Sequence, residues 1–226
     1  MRFDAVAFDL DGTLYPAPRL YARALPTMIG KLRGVVAFNR TRQRMRAMGL
    51  TADHSAAAPA DGAAFQALEA RLFAGLLGSG LPEATAIMHR DFYRGVEELF
   101  LRIKPFTGLT AALDALSAAG LRLGLLSDLP PLRKLELMGL SGRFEVALCS
   151  EDSGFLKPAR EPFAMLASRM QLPPGRILYV GNNPRIDVAG AKAAGMSTAI
   201  VSRRRVHAAD LSFFDWRELV TFAQRT

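Results

Sequence analysis

Five short apolar runs, residues 3–10, 121–126, 146–149, 177–180 and 198–201, restrict the fold of this chain more than any other feature. Each is bounded by turn residues or by charge. Each reads as a buried parallel strand, because a strand covered on both faces needs no polar alternation. Between them lie segments with helical periodicity, 110–119 closing at Gly120, 131–138 closing at Gly139, 161–170, and 186–194 closing at Gly195. Glycine is the residue that most readily takes the left-handed turn ending a helix. Strand and helix alternate, and that alternation predicts an α/β fold, a doubly wound, Rossmann-like parallel sheet with right-handed crossovers.

One stretch breaks the rhythm. From residue 15 to 104 no strand pattern occurs, only helical patterns over 20–48, 62–77 and 82–101, with the Ala-, Pro-, Asp- and Gly-rich segment 51–62 as the loop between two halves. A chain of 226 residues is long enough for one substantial core and a smaller inserted module. The expected division is a core of residues 1–14 and 105–226 and an all-helical cap domain of residues 15–104. The insert follows the first strand at its carboxyl end, where open α/β sheets place their ligands, so it is expected to stand over the site as a lid. A helical elaboration that only stabilises the fold fits the same pattern.

Half the residues are apolar and 22% are charged, the profile of a globular enzyme rather than of a disordered chain. The one cysteine, Cys149, lies in an apolar stretch, so it is expected to be a buried, inert thiol in a reducing, cytoplasmic compartment. No apolar run has the length of a membrane span, and residues 3–10 enter a strand pattern that carries acidic groups, unlike a signal peptide. A protein neither exported nor embedded is expected. The formal charge of +8 attracts anions. Arg33, Arg40, Arg42, Arg44 and Arg46 are read as a solvated helix face, and Arg203, Arg204 and Arg205 as a loop. No nucleic-acid-binding motif accompanies them, so nucleic acid is an unlikely partner.

The chemistry-bearing segment is Asp9-Leu10-Asp11-Gly12-Thr13, at the end of the first run. Side chains two apart on a strand point the same way, so Asp9 and Asp11 address one site if the chain stays extended to Asp11. Gly12 permits a sharp turn there. Two crowded carboxylates repel unless a cation shares the site, an arrangement that suits a hard metal ion. In this geometry Asp9 can attack phosphorus while Asp11 protonates the leaving oxygen and later activates water. A strand ending in an ordinary acidic turn has the same Asp-x-Asp pattern.

This segment resembles the first motif of the haloacid dehalogenase superfamily, whose phosphatase branch begins Asp-x-Asp-x-Thr. The rest of that family's pattern follows in order: Ser127 in Leu125-Leu126-Ser127-Asp128, and Lys157 in Gly154-Phe155-Leu156-Lys157-Pro158. The resemblance implies a catalytic set of Asp9, Asp11, Ser127 and Lys157, and substrate contacts from Thr13, Ser127, Asp128 and Lys157. Lys157 would offset charge on the transferring group and keep Asp9 ionised. The fourth motif departs from the pattern. The family usually shows Gly-Asp followed by a second Asp, whereas this chain reads Gly181-Asn182-Asn183-Pro184-Arg185-Ile186-Asp187. The implied Mg²⁺ ligands are Asp9, the Asp11 carbonyl, Asn182 and, directly or through water, Asp187. An amide in place of a carboxylate is expected to weaken the ion's hold.

These residues describe a Mg²⁺-dependent phosphatase for a small phosphorylated substrate, acting as a monomer or homodimer. Two alternatives stand beside it: a dehalogenase of the same fold, for which Asp11 has no evident task, and a catalytically impaired member that survives as a binding protein. Arg19, Arg23 and Arg90 are candidate anion contacts in the cap. His54, His89 and His207 lack metal-site or triad spacing, Gly75, Gly78 and Gly80 read as a helix end and turn, and Trp216 with Phe213 and Phe214 is expected to anchor the C-terminal segment.

Overall fold

The computed structural model describes residues 2–50, 59–95, 97–101 and 103–225. Six parallel strands form one sheet in the order β3, β2, β1, β4, β5, β6. They are β1 (Ala5–Phe8), β2 (Arg122–Ser127), β3 (Val146–Cys149), β4 (Ile177–Gly181), β5 (Ser197–Val201) and β6 (Leu211–Phe213). The first five coincide with the five apolar runs, and all four residues of β1 are buried. The reason lies in the packing on either side. Val6 and Phe8 point into a cluster with Leu109, Leu113, Leu116, Trp216 and Leu219. Ala5 and Ala7 point the other way, onto Phe163, Leu166, Met170 and Ala191. Period-two geometry thus sends alternate residues of one strand into two different apolar layers.

The helices that supply those layers are α6 (Leu109–Ala118), α7 (Leu132–Leu137) and α10 (Trp216–Ala223) on the first face, and α8 (Arg160–Arg169) and α9 (Ala189–Ala193) on the second. The helix expected over 186–194 is shorter than its pattern, because a π-helical turn at Pro184–Val188 precedes α9. Neither β6 nor α10 was expected as a regular element. Phe213 and Trp216 do bury against the core, and the Asp215 carboxylate caps α10 by accepting from the Arg217 N–H. Phe214 is the exception, lying half exposed under the Arg203 guanidinium.

Between β1 and α6 the described elements are helical: α1 (Ala17–Met28), α2 (Leu32–Leu50), α3 (Gly62–Leu77), α4 (Leu81–Met88) and α5 (Glu97–Phe100), with a 3-10 turn at Ile29–Lys31 and a π-helical turn at His89–Arg94. This stretch leaves and returns at one place, where the Phe106 N–H donates to the Leu14 carbonyl at 2.9 Å. It has its own apolar cluster of Phe38, Phe73, Met88 and Phe92, in which the rings of Phe38 and Phe92 stack at 4.2 Å. Asp61 caps α3 at its start and Gly78, with φ of 72°, ends it. The loop expected over 51–62 falls largely on residues 51–58, outside the described residues, as does His54. Among the described residues no helix is long and apolar enough to cross a membrane.

The arginines of α2 do not all behave as a solvated face. Arg33, Arg40 and Arg44 are exposed, but Arg42 is buried and donates to Glu69 on α3 and to Glu151 beyond β3, at 2.9 and 2.5 Å. It also donates to the Asp128 carbonyl. Four residues on, Arg46 reaches the Asp128 carboxylate at 2.8 Å and the Lys157 carbonyl at 3.1 Å. The i, i+4 spacing puts both on one face, and that face is turned to the sheet.

Candidate active site

The central strand delivers Asp9. Its N–H donates to the Val180 carbonyl at 2.8 Å, which extends the sheet pairing one residue past Phe8 and fixes where the side chain emerges. The chain then turns, with Thr13 and Leu14 both donating to the Leu10 carbonyl. Gly12 makes the turn possible. It sits at φ of +89°, and a Cβ there would lie 2.1 Å from Nδ2 of Asn182.

Asp9 is buried and both of its oxygens are engaged. Oδ1 accepts from Nζ of Lys157 at 2.6 Å, and Oδ2 from the Thr13 hydroxyl at 2.8 Å. Lys157 is fully enclosed, and its ammonium also donates to Asp187 Oδ1 at 2.9 Å, the Tyr179 hydroxyl at 3.2 Å and the Leu126 carbonyl at 3.3 Å. Burial pushes the Asp9 carboxyl up to about 7, against the pull of Lys157 and with reinforcement from Asp187 and Asp11. One cation between two buried carboxylates leaves the group short of positive charge. Burial acts downward on the Lys157 ammonium too, but Asp187 and Asp9 outweigh it and hold it well above the ordinary lysine range.

Asp187 turns its other oxygen, Oδ2, to the N–H groups of Asn182 and Asn183 at 3.1 and 3.0 Å. With both oxygens bonded within the protein, its side chain shapes the loop after β4. Gly181 is required for this, since a Cβ there would meet the Asp187 side chain at 2.3 Å. Ser127 ends β2, fully buried, and its oxygen accepts from the Leu129 N–H at 3.3 Å. Asp128 follows with a carboxylate given over to Arg46 and to the Lys157 N–H. Burial opposes its ionisation, but Lys157, Arg46 and Arg42 together hold it below the usual carboxylate range.

Asp11 is the partly exposed member of the group. Nζ of Lys134 donates to its two oxygens at 2.9 and 2.7 Å, and the Tyr15 hydroxyl to Oδ1 at 2.7 Å. Burial, then the charge of Asp11, keeps that tyrosine protonated. Asp9, Asp11, Thr13, Ser127, Asp128, Lys157, Asn182 and Asp187 are thus brought to the carboxyl ends of β1, β2 and β4. Arg19 and Arg23 lie exposed on α1, and Arg90 pairs with Asp91 at 2.8 Å. Sequence reasoning missed Lys134, Tyr15, Arg42, Arg46 and Tyr179. Tyr15, four residues from Asp11, is the one that spacing could have offered.

Oxygen donors for a cation are present. Nδ2 of Asn182 donates to the Asp11 carbonyl at 3.4 Å, so the Asn182 amide stands beside that carbonyl, two residues from Asp9. A hard ion such as Mg²⁺ takes one or two carboxylates and completes its shell with water and substrate phosphate. This donor set fits that demand at its lower limit of charge. Among the described residues, no group of three or more His, Cys, Asp or Glu side chains forms a metal cluster.

A family model for haloacid dehalogenase-like hydrolases matches residues 3–195. The chain belongs to this family. It is 28% identical over 216 residues to the N-acetylmuramic acid 6-phosphate phosphatase of Pseudomonas aeruginosa, covering 93% of this chain and 86% of that protein. Among solved structures it is similar to the HAD-hydrolase YfnB of Bacillus subtilis, bound to magnesium, with TM-score 0.71 and 18% identity over the whole of both chains. An L-2-haloacid dehalogenase gives TM-score 0.68 at 24% identity, again over both whole chains. At these identities the two structures show the fold alone.

Proposed function

We propose that this haloacid dehalogenase-like hydrolase is a phosphatase for a small phosphate monoester, with Asp9 as nucleophile. The observation that carries the reading is the buried Asp9 carboxylate, held through one oxygen by Lys157 and through the other by Thr13, with Asp11 two residues away and partly open to solvent. The likeness, over 93% of this chain, to a protein named N-acetylmuramic acid 6-phosphate phosphatase supports the same reaction class.

In this mechanism Asp9 attacks phosphorus, an Asp9–phosphorus bond forms and the ester oxygen–phosphorus bond breaks. Asp11 gives its proton to the departing oxygen. Water then attacks the phosphorus of the aspartyl-phosphate, yields its proton to Asp11, and leaves free Asp9 and inorganic phosphate. Lys157 and Ser127 hold the transferring oxygens, and the buried Lys157 ammonium balances their charge. Asp9, the Asp11 carbonyl and Asn182 are the residues that would hold Mg²⁺, with Asp187 supporting their loop. When bound, that ion supplies positive charge against the phosphate oxygens.

The helical stretch 15–104 serves in this reading as a cap over the leaving group. Arg42 and Arg46 join it to the backbone and side chain of Asp128 and to the Lys157 carbonyl. A dehalogenase would leave Asp11 without a task, since a halide departs unprotonated. A panel of phosphate monoesters assayed with Mg²⁺ on wild type and Asp9→Asn tests the proposal. Phosphate release by wild type and none by the variant is expected, with a quenched phosphoryl adduct on Asp9. Comparable activity in both, or halide release from 2-haloacids with no phosphate release from any ester, refutes it.

A further inference from the structure

Among the described residues Lys134 has one charged partner, and its setting is unusual for a lysine. Its side chain is 8% exposed, whereas that of Asp11, the carboxylate it grips, is 36% exposed. Enclosing an ammonium this far is costly unless the charge is matched. Here it is matched by Asp11, at 2.9 and 2.7 Å, and by the face of Phe100, whose centroid lies 5.3 Å from Nζ. Phe100 is itself buried and meets the edge of Tyr15 at 5.2 Å. The Tyr15 hydroxyl completes the circuit on Asp11 Oδ1. The cation is therefore behind the carboxylate, and the exposed part of the pair is the carboxylate. Among the described residues Oδ1 has two donors and Oδ2 has Lys134 alone, so Oδ2 keeps acceptor capacity.

The geometry points to Lys134 as a positioning residue that aims Asp11 at the leaving oxygen and so sets which esters the enzyme turns over. The inference rests on the phosphatase reading above, in which Asp11 protonates the leaving group. An alkoxide departs as a strong base and depends on that proton, whereas a nitrophenolate leaves with little help. Among the described contacts Lys134 bonds to Asp11, whereas Asp9 is held by Lys157 and Thr13, so the loss of Lys134 falls first on the proton transfer. A salt bridge that served stability alone would affect all esters equally.

The test compares kcat/KM for the best alkyl monoester of the panel with that for p-nitrophenyl phosphate, in wild type, Lys134→Met, Lys134→Arg and Asp11→Asn. Lys134→Met is expected to lose at least about tenfold more on the alkyl ester than on the aryl ester, the direction of Asp11→Asn, within the span that general acid catalysis commands. Lys134→Arg, which keeps a cationic donor, is expected to recover most of the wild-type ratio. Equal losses on both esters in Lys134→Met, with discrimination intact in Asp11→Asn, overturn the role of Lys134 and leave the phosphatase reading standing. If Asp11→Asn itself shows no discrimination, the phosphatase mechanism fails first. Should Lys134→Met not fold, Lys134→Gln gives the same ratio with an uncharged donor of similar length.

Discussion

The Nζ of Lys157 lies 2.6 Å from Oδ1 of Asp9, yet burial still pushes that carboxyl up to about 7, because Lys157 also serves Asp187. As the proposed nucleophile Asp9 must be ionised, so kcat/KM at low Mg²⁺ is expected to rise with pH through about 7 and to level off above it. Adding Mg²⁺ brings positive charge to the same carboxylate and moves the rise to lower pH. A profile that is flat across this range, or insensitive to Mg²⁺, contradicts the assignment.

The same shift has a consequence for stability. The folded-state value lies above the ordinary 3.8, so the contribution of Asp9 is fully present below 3.8 and is lost as pH rises through about 7. Asp9→Asn removes a buried charge that is unfavourable above that point. The variant is expected to melt at a higher temperature than wild type in mildly alkaline buffer without Mg²⁺, while losing turnover. An unchanged or lower melting temperature there shows that Lys157 fully compensates the ionised carboxylate.

Asn182 stands where relatives in the family pattern carry a carboxylate, and its amide faces the Asp11 carbonyl at 3.4 Å. Asn182→Asp adds formal charge to a donor set with a single carboxylate. The half-saturating Mg²⁺ concentration for activity is expected to fall about tenfold, equivalent to ~1.4 kcal/mol of binding. Without the ion, a further acidic group close to Asp9 and Asp11 repels them, so the variant is also expected to melt earlier in chelator and to recover with Mg²⁺. An equal or greater Mg²⁺ requirement in the variant rejects the idea that Asn182 limits binding.

The five strands around the site were legible because each is covered on both faces, which leaves a continuous apolar run in the sequence. β6 was not, since Leu211-Ser212-Phe213 is too short to carry a period. The fold brought Asp9, just past β1, to Lys157, which lies in the loop beyond β3. Lys134 was illegible for a different reason: it meets Asp11 across 123 residues, and a lysine on a short helix reads as solvated until its neighbours are known. Arg42 and Arg46 were misread for the same cause. Helical spacing placed them on one face of α2 but could not say that the face meets Glu151 and Asp128 rather than water.

Gly12 offers a backbone test of the turn that follows Asp11. Its φ of +89° disfavours any side chain, and a Cβ would approach Asn182 Nδ2 to 2.1 Å. Gly12→Ala must relieve that overlap by moving Asn182 or the turn, in addition to roughly 1–3 kcal/mol of backbone strain. Loss of activity is expected to exceed the loss of stability, because the atoms displaced are the Asp11 carbonyl and the Asn182 amide. A variant that keeps wild-type kcat and Mg²⁺ dependence shows that the loop tolerates rearrangement and does not define the site.

Arg42 carries the strongest prediction about the helical stretch. Its guanidinium is buried between Glu69 and Glu151, and the Tyr93 hydroxyl donates to the same two carboxylates at 2.6 and 2.9 Å. Burial already lifts the Glu151 carboxyl above its ordinary range, against Arg42 and with Glu69 adding to the rise. Arg42→Met fills similar space but leaves two enclosed carboxylates with no cation, a loss of about 3–5 kcal/mol for a broken buried pair. Protonating Glu151 relieves the repulsion, so the deficit relative to wild type is expected to shrink as pH falls. Denaturant unfolding of both proteins across a pH series measures this difference. A deficit that is constant with pH would mean that Arg42 acts through its packing on Phe38 and Phe65 rather than through its charge, and the electrostatic tie between α2, α3 and the Glu151 loop would have to be abandoned.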